Sequence, residues 1–271
     1  MSWLATAFAA LLGLATPAAA HLADGRTPVI ASAPVHAARV APPGTLRDQP
    51  LPPFPIAPAR PRTVRHGIPL GPQLLVRVPD PGLAAHRHPT GSSRVVGTVR
   101  PTSKYYGVPI TIWVQATNAA GTWGKVQLPY VWPRTDGWIR LRGLHRSRTS
   151  VVVSVDLSEH TVRVYRTGSL RYRVRGATGA PSSPTPPGDY VVTDRVAFGG
   201  GALGSFAFGI SGIQPRLPAG WSGGDQLAIH GTDEPWSIGR SVSAGCVRVS
   251  EWSLDHFRPL LRLGTPVIIE A

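Results

Sequence analysis

Short runs of alternating apolar and polar residues, each closed off by Gly or Pro, set the tightest limit on what this chain can fold into. LLVRV (74–78), RVVGTVR (94–100), ITIWVQAT (110–117), WGKVQLP (123–129) and GWIRLRG (137–143) form a first group. VVVSVDL (151–157), TVRVYR (161–166) and LRYRVRG (170–176) form a second, which reads as a β-meander. A period of two marks half-buried antiparallel strands. With 30 Gly and 29 Pro in 271 residues, little uninterrupted sequence is left for long helices. The chain is therefore predicted to be mainly β, the first group making a small barrel or sandwich. Asn118-Ala119-Ala120-Gly121 suits a hairpin tip. Trp113, Trp123, Trp132 and Trp138 are expected to supply the core of that first group, because large rings carry much of a small core.

Residues 1–20, MSWLATAFAALLGLATPAAA, have the form of a secretory signal peptide: an apolar run followed by small residues at a cleavage position. The run is too short to span a bilayer, which takes roughly 20 apolar residues. Residues 21–63 are rich in Pro and Ala without periodicity and read as an extended linker. The remainder divides into a β module over residues 64–147 and a C-terminal domain over residues 148–271. The protein is thus expected outside the cytoplasm.

The net charge of +14 is unevenly placed: residues 64–150 carry +10, residues 151–271 only +1. A field of that size attracts polyanions. For an exported protein the expected polyanion is an envelope polymer and not nucleic acid. The alternative is that Arg serves as solubilising charge, since Lys104 and Lys125 are the only Lys residues. His86 and His88, in AAHRHPTG, lack any further metal-ligand pattern and read as a solvated turn.

The one cysteine of the chain, Cys246, lies sixteen positions after His230 in AIHGTDEPWSIGRSVSAGCVRVS. A lone Cys in an exported protein indicates an intermolecular bond, a reactive thiol or a small buried hydrophobe. QLAIHG (226–231) reads as a strand ending at His230, and VSAGCVRV (242–249) as a strand broken by a small-residue bend at Cys246. If the two are adjacent, an imidazole meets a thiol, and the bend's N–H groups are candidates for an oxyanion site. Residues 196–225, dominated by Gly, Ser and Ala, read as a long loop serving as lid or wall. Ser250 is placed to cap a short helix through EWSLDHF, before a last strand TPVIIEA.

His230-Gly231-Thr232, Ile238-Gly239 and Ser243-Ala244-Gly245-Cys246-Val247-Arg248, in that order, resemble the signature of the L,D-transpeptidases, the YkuD-type catalytic domain of bacterial cell-wall enzymes. TGAPSSPTPPGDY resembles the family's Thr-Pro-x-Gly turn, and the likeness covers about residues 150–271. Residues 66–146 resemble, more weakly, the SH3-like modules that precede such domains. Many members carry His where this chain has Ala244.

The resemblance implies a β-sandwich-like catalytic domain with a short helix, preceded by a small SH3-like β-barrel. It implies Cys246 as nucleophile, His230 as general base and acid, the Gly245 backbone as oxyanion donor, and the Gly231 carbonyl as the group orienting His230, with Asp233 as the side-chain alternative. Arg248, Thr232 and Ser243 become substrate-binding candidates, Arg248 alternatively a brace for the cysteine loop. The implied reaction joins peptidoglycan stem peptides by 3→3 links through a Cys thioester, with release of D-alanine. It needs no metal or organic cofactor, and carbapenems are expected inhibitors. A monomer is expected. The alternatives are an L,D-carboxypeptidase using the same site and a non-catalytic wall-binding protein.

Overall fold

A computed structural model describes residues 68–69 and 71–271. The signal segment and the linker lie outside them. The described residues all belong to one compact unit.

Eight short strands come first: β1 (Gln73–Arg77), β2 (Leu83–His86), β3 (Val95–Val99), β4 (Thr111–Val114), β5 (Ala116–Thr117), β6 (Trp123–Gln127), β7 (Asp136–Arg140) and β8 (Arg146–Thr149). They make a three-stranded sheet, β4-β1-β8, and a five-stranded sheet, β3-β2-β7-β6-β5. The inward side chains of the alternating runs, among them Val76, Ile112, Val126, Ile139 and Leu141, make one core between these sheets. His86 belongs to β2, where its Nδ1 lies 2.8 Å from the Ser93 carbonyl oxygen and its ring meets Trp123 edge-on. It is thus a strand residue and not the turn residue expected from AAHRHPTG. Trp132 is 51% exposed, so it is not a core residue; Pro133 follows it in an irregular segment that turns the ring outward.

The second group is β9 (Val151–Asp156), β10 (Thr161–Arg166), β11 (Ser169–Arg175), β12 (Thr178–Gly179), β13 (Gly188–Ala197), β14 (Phe206–Ile213), β15 (Gln226–His230), β16 (Ser241–Ser243), β17 (Val247–Arg248) and β18 (Pro266–Glu270). Eight of these form one sheet in the order β11-β10-β9-β18-β13-β14-β15-β17. Its pairs are antiparallel except β9 with β18 and β15 with β17. Val153 and Val164 at one end share a core with Ile229 and Val247 at the other, so the sheet curls over on itself. The helix α1 (Glu251–Phe257) fills the fold with Leu254 and Phe257. Ser250 caps it by accepting a hydrogen bond from the Ser253 N–H.

Residues 196–225 are not one loop. Their centre is β14, a strand inside the sheet and buried along almost its whole length. Its alternation is hidden because polar packing needs small residues there. A Cβ at Gly209 would come within 2.7 Å of Gln226 Nε2 and 3.0 Å of Asp194. Only residues 198–205 and 214–225 remain as connections.

The two groups of strands are joined by a third apolar cluster, in which Leu75 and Trp113 meet Val152, Val191 and Ile268. Polar links add to it: Arg134 reaches Asp189 at 2.7 Å, and the Tyr130 N–H donates to the Ser211 carbonyl at 2.8 Å.

Candidate active site

Alternation along two neighbouring strands builds the site. Leu227 and Ile229 of β15 turn into the core, as do Val247 and Val249 beside them. Gln226, Ala228 and His230 therefore share the opposite face with Cys246 and Arg248. The parallel register pairs Ile229 with Val247 and His230 with Arg248. Cys246 thus stands beside Ala228, diagonal to His230 on the same face. Diagonal neighbours on a sheet are roughly 7–8 Å apart. The thiol and the imidazole share no hydrogen bond; the thiol donates to the Gln226 carbonyl oxygen at 3.9 Å and lies beside the Ala228 backbone.

His230 is 4% exposed, and its Nδ1 lies 2.6 Å from the Gly231 carbonyl oxygen. A carbonyl only accepts, so Nδ1 carries the hydrogen and Nε2 is the free acceptor. Burial pushes the imidazole down to about 4. The Gly231 carbonyl and Glu251 pull it back up, while Arg248 pushes it further down. Asp233 is exposed and takes no part in orienting the ring. Burial likewise raises the Cys246 thiol above its ordinary range, against the opposing pull of the Ala228 backbone and Arg248. At neutral pH the pair is therefore thiol and neutral imidazole, not thiolate and imidazolium.

The loop that carries the sulfur is fixed from several sides. Ser243 Oγ donates to the Cys246 carbonyl at 2.6 Å and accepts from the Gly245 N–H at 3.1 Å. Ser243 is 2% exposed, so its hydroxyl faces the loop and not an incoming substrate. Because the Gly245 N–H is already taken by Ser243, that amide is not free as an oxyanion donor. The Cys246 N–H has no acceptor within the described residues and is the better-placed donor. Thr185 Oγ1 donates to the Gly245 carbonyl at 2.8 Å and accepts from the Gly179 N–H at 2.8 Å. Gly245 has φ +122°, and a Cβ there would meet Gln214 Nε2 at 2.1 Å. The Gln214 amide in turn donates to the Ser183 and Pro184 carbonyls at 3.1 and 3.0 Å.

Arg248 forms an ion pair with Glu234, and its buried Nε has no partner. Thr232, half-buried, accepts from the Glu234 N–H at 3.0 Å. Thr232, Glu234 and Arg248 therefore hold one another at the mouth of the site.

Sequence reasoning placed Cys246, His230 and Gly231 but missed Gln214, Thr185 as a brace, Glu234 and the Asp194–Gln226 pair. Asp194 is fully buried in β13, and its Oδ2 accepts from Gln226 Nε2 at 2.7 Å and Thr193 Oγ1 at 2.8 Å. A carboxylate inside the apolar run YVVTDRV was the signal available for it.

Residues 150–269 match the family described as the L,D-transpeptidase catalytic domain, YkuD. The YkuD protein of Bacillus licheniformis is 29% identical over 117 residues, 43% of this chain and 64% of that protein. The YkuD protein of Bacillus subtilis is 29% identical over 93 residues, 34% of this chain and 49% of that one. The match thus spans less than two thirds of either relative. Among solved structures, L,D-transpeptidase 3 from Mycobacterium tuberculosis is 18% identical with a TM-score of 0.38, covering 60% of this chain and 92% of that one. Over residues 150–269 this chain is similar to the YkuD-type L,D-transpeptidase catalytic domain.

Proposed function

We propose that the protein is an exported cysteine acyltransferase that cross-links peptidoglycan stem peptides. The observation that carries this reading is the 2.6 Å bond from His230 Nδ1 to the Gly231 carbonyl. It leaves a bare Nε2 on the face that also bears the chain's one thiol.

Cys246 Sγ attacks the carbonyl carbon between the third stem residue and the terminal D-alanine. His230 Nε2 takes the thiol proton as the C–S bond forms. The Cys246 N–H faces the oxyanion; one such donor is worth about 2.7–4 kcal/mol of barrier. Collapse breaks the C–N bond, and His230 returns the proton to the departing D-alanine amine. The side-chain amine of a diamino acid on a second stem then attacks the thioester, which frees the thiol and leaves a 3→3 link. A carbapenem acylates the same sulfur when its lactam C–N bond opens. Arg248, held by Glu234, acts as a brace for the cysteine loop. We read residues 64–147 as an SH3-like module whose positive charge favours anionic wall polymers.

The test is product analysis with purified donor and acceptor muropeptides. Cross-linked dimer with one D-alanine released per link is the expected outcome. D-alanine with trimmed monomer and no dimer assigns the site to an L,D-carboxypeptidase. Folded, reduced protein that releases no D-alanine contradicts both and leaves the wall-binding role.

A further inference from the structure

We propose that Lys104 and Tyr105, outside the catalytic domain, are positioning residues for Cys246, acting through Asp225. The proposal rests on the reading of Cys246 as the acyl-transfer nucleophile.

Both oxygens of the Asp225 carboxylate are within reach of Lys104 Nζ, at 2.7 and 2.8 Å. The Tyr105 hydroxyl donates to the same carboxylate at 2.6 Å and accepts from the Asp225 N–H at 3.1 Å. Residue 225 is thus gripped by side chain and backbone together. Burial opposes both shifts and is overcome by the partners: Lys104 and Tyr105 hold the carboxyl below its usual range, and the carboxylate raises the ammonium.

What Asp225 does next in the chain gives the grip its meaning. Its carbonyl accepts from the Gln214 N–H at 2.7 Å. Gln214 is the side chain packed into the space beside Gly245. Its successor, Gln226, places a carbonyl against the sulfur at 3.9 Å and anchors its own amide on buried Asp194 at 2.7 Å. Asp225 is therefore tied to two glutamines, one packed beside Gly245 and the other with its carbonyl against the sulfur. Asp225 follows Gly220, Gly223 and Gly224, a stretch with little backbone stiffness of its own. The ends of the 214–225 segment are closed by the β14–β15 pairing of Ile213 with Gln226, and Lys104 and Tyr105 are the side chains that grip Asp225 from outside the catalytic domain. Small displacements at a reacting atom are expensive, about 10²-fold for 1 Å.

Lys104 and Asp225 are 30% and 25% exposed, so the pair contributes little to global stability. A positioning role and a purely cementing role thus make different predictions. The experiment compares wild type, a Lys104→Ala/Tyr105→Phe variant, and Lys104→Arg as the conservative rescue, all full length. Two rates are read: D-alanine release from tetrapeptide, and alkylation of Cys246 by iodoacetamide. Since the chain has a single Cys, alkylation reports that thiol alone. The double variant is expected to lose about tenfold in kcat with KM unchanged, roughly 1.4 kcal/mol of barrier. Its alkylation should accelerate several-fold, because a loosened wall admits a small reagent while misaligning a large substrate. Lys104→Arg should restore both. Unchanged rates in the double variant, or a raised KM with unchanged kcat, overturn the proposal. If the wild type releases no D-alanine, the acyltransfer reading fails; the alkylation rates still decide whether Lys104 and Tyr105 set the thiol's surroundings.

Discussion

The two halves of the described chain solve opposite problems. Of sixteen buried polar side chains, residues 68–149 hold one, Ser103; the other fifteen lie in residues 150–271. The first half instead carries the charge, +10 over residues 64–150 against +1 over residues 151–271. Charge kept in water acts at long range and is screened by salt. Polar groups taken out of water act only on what they touch, and each must be matched by a partner. The second half has the composition of a device that positions a few atoms. The first is suited to attracting and holding.

Removing buried groups should therefore abolish chemistry, and removing surface groups should not. Cys246→Ala should eliminate both D-alanine release and carbapenem adducts, with the thermal transition retained. His230→Gln should lower acylation by roughly 10²–10⁴-fold, as loss of a positioned general base does; stopped-flow acylation reads this directly.

The pH response sharpens the contrast. His230 titrates at about 4 in the folded chain and near 6.5 when unfolded. As pH falls below 6.5 the unfolded chain takes up a proton that the native one refuses. Native stability is then lost from about pH 6.5 down to about 4, by roughly 3 kcal/mol. Unfolding free energies from urea titrations at pH 7 and pH 4 should differ by that much more in wild type than in His230→Gln. The same depressed value places the acid limb of kcat/KM near pH 4, not 6.5.

Smaller effects come from the braces and then from the surface. Thr185→Val strands the Gly179 N–H and frees the Gly245 carbonyl, at a cost of about 1–3 kcal/mol in denaturant unfolding. Trp132→Ala, at an exposed ring of the first half, should shift stability by no more than about 0.5 kcal/mol. Replacing exposed Arg87, Arg94 and Arg140 with Gln should weaken retention on purified wall at low salt while leaving carbapenem acylation unchanged.

What was legible in the sequence followed the same division. Alternating runs gave β6, β7, β10 and β11 because burial alternates along each of them, and they also gave β1, β4 and β9, although β4 and β9 are buried along most of their length. The strand holding His230 and the bend at Cys246 were legible because alternation meets a break at Ser243-Ala244-Gly245. β14 was not: it is buried on both faces, and its small residues exist to admit Gln226, Asp194 and Tyr190 from other strands. Nor were Gln214 and Asp225, whose side chains are held by Ser183 and by Lys104, 31 and 121 positions away. Contacts made by single side chains across the fold leave no period to read.

Intact-mass analysis of the reduced, folded chain after incubation with a carbapenem bears most directly on the imidazole–thiol site. One inhibitor mass, mapped to Cys246 and formed far more slowly in His230→Gln, is the predicted result. An unmodified chain, or an adduct that forms equally fast without the imidazole, would contradict it.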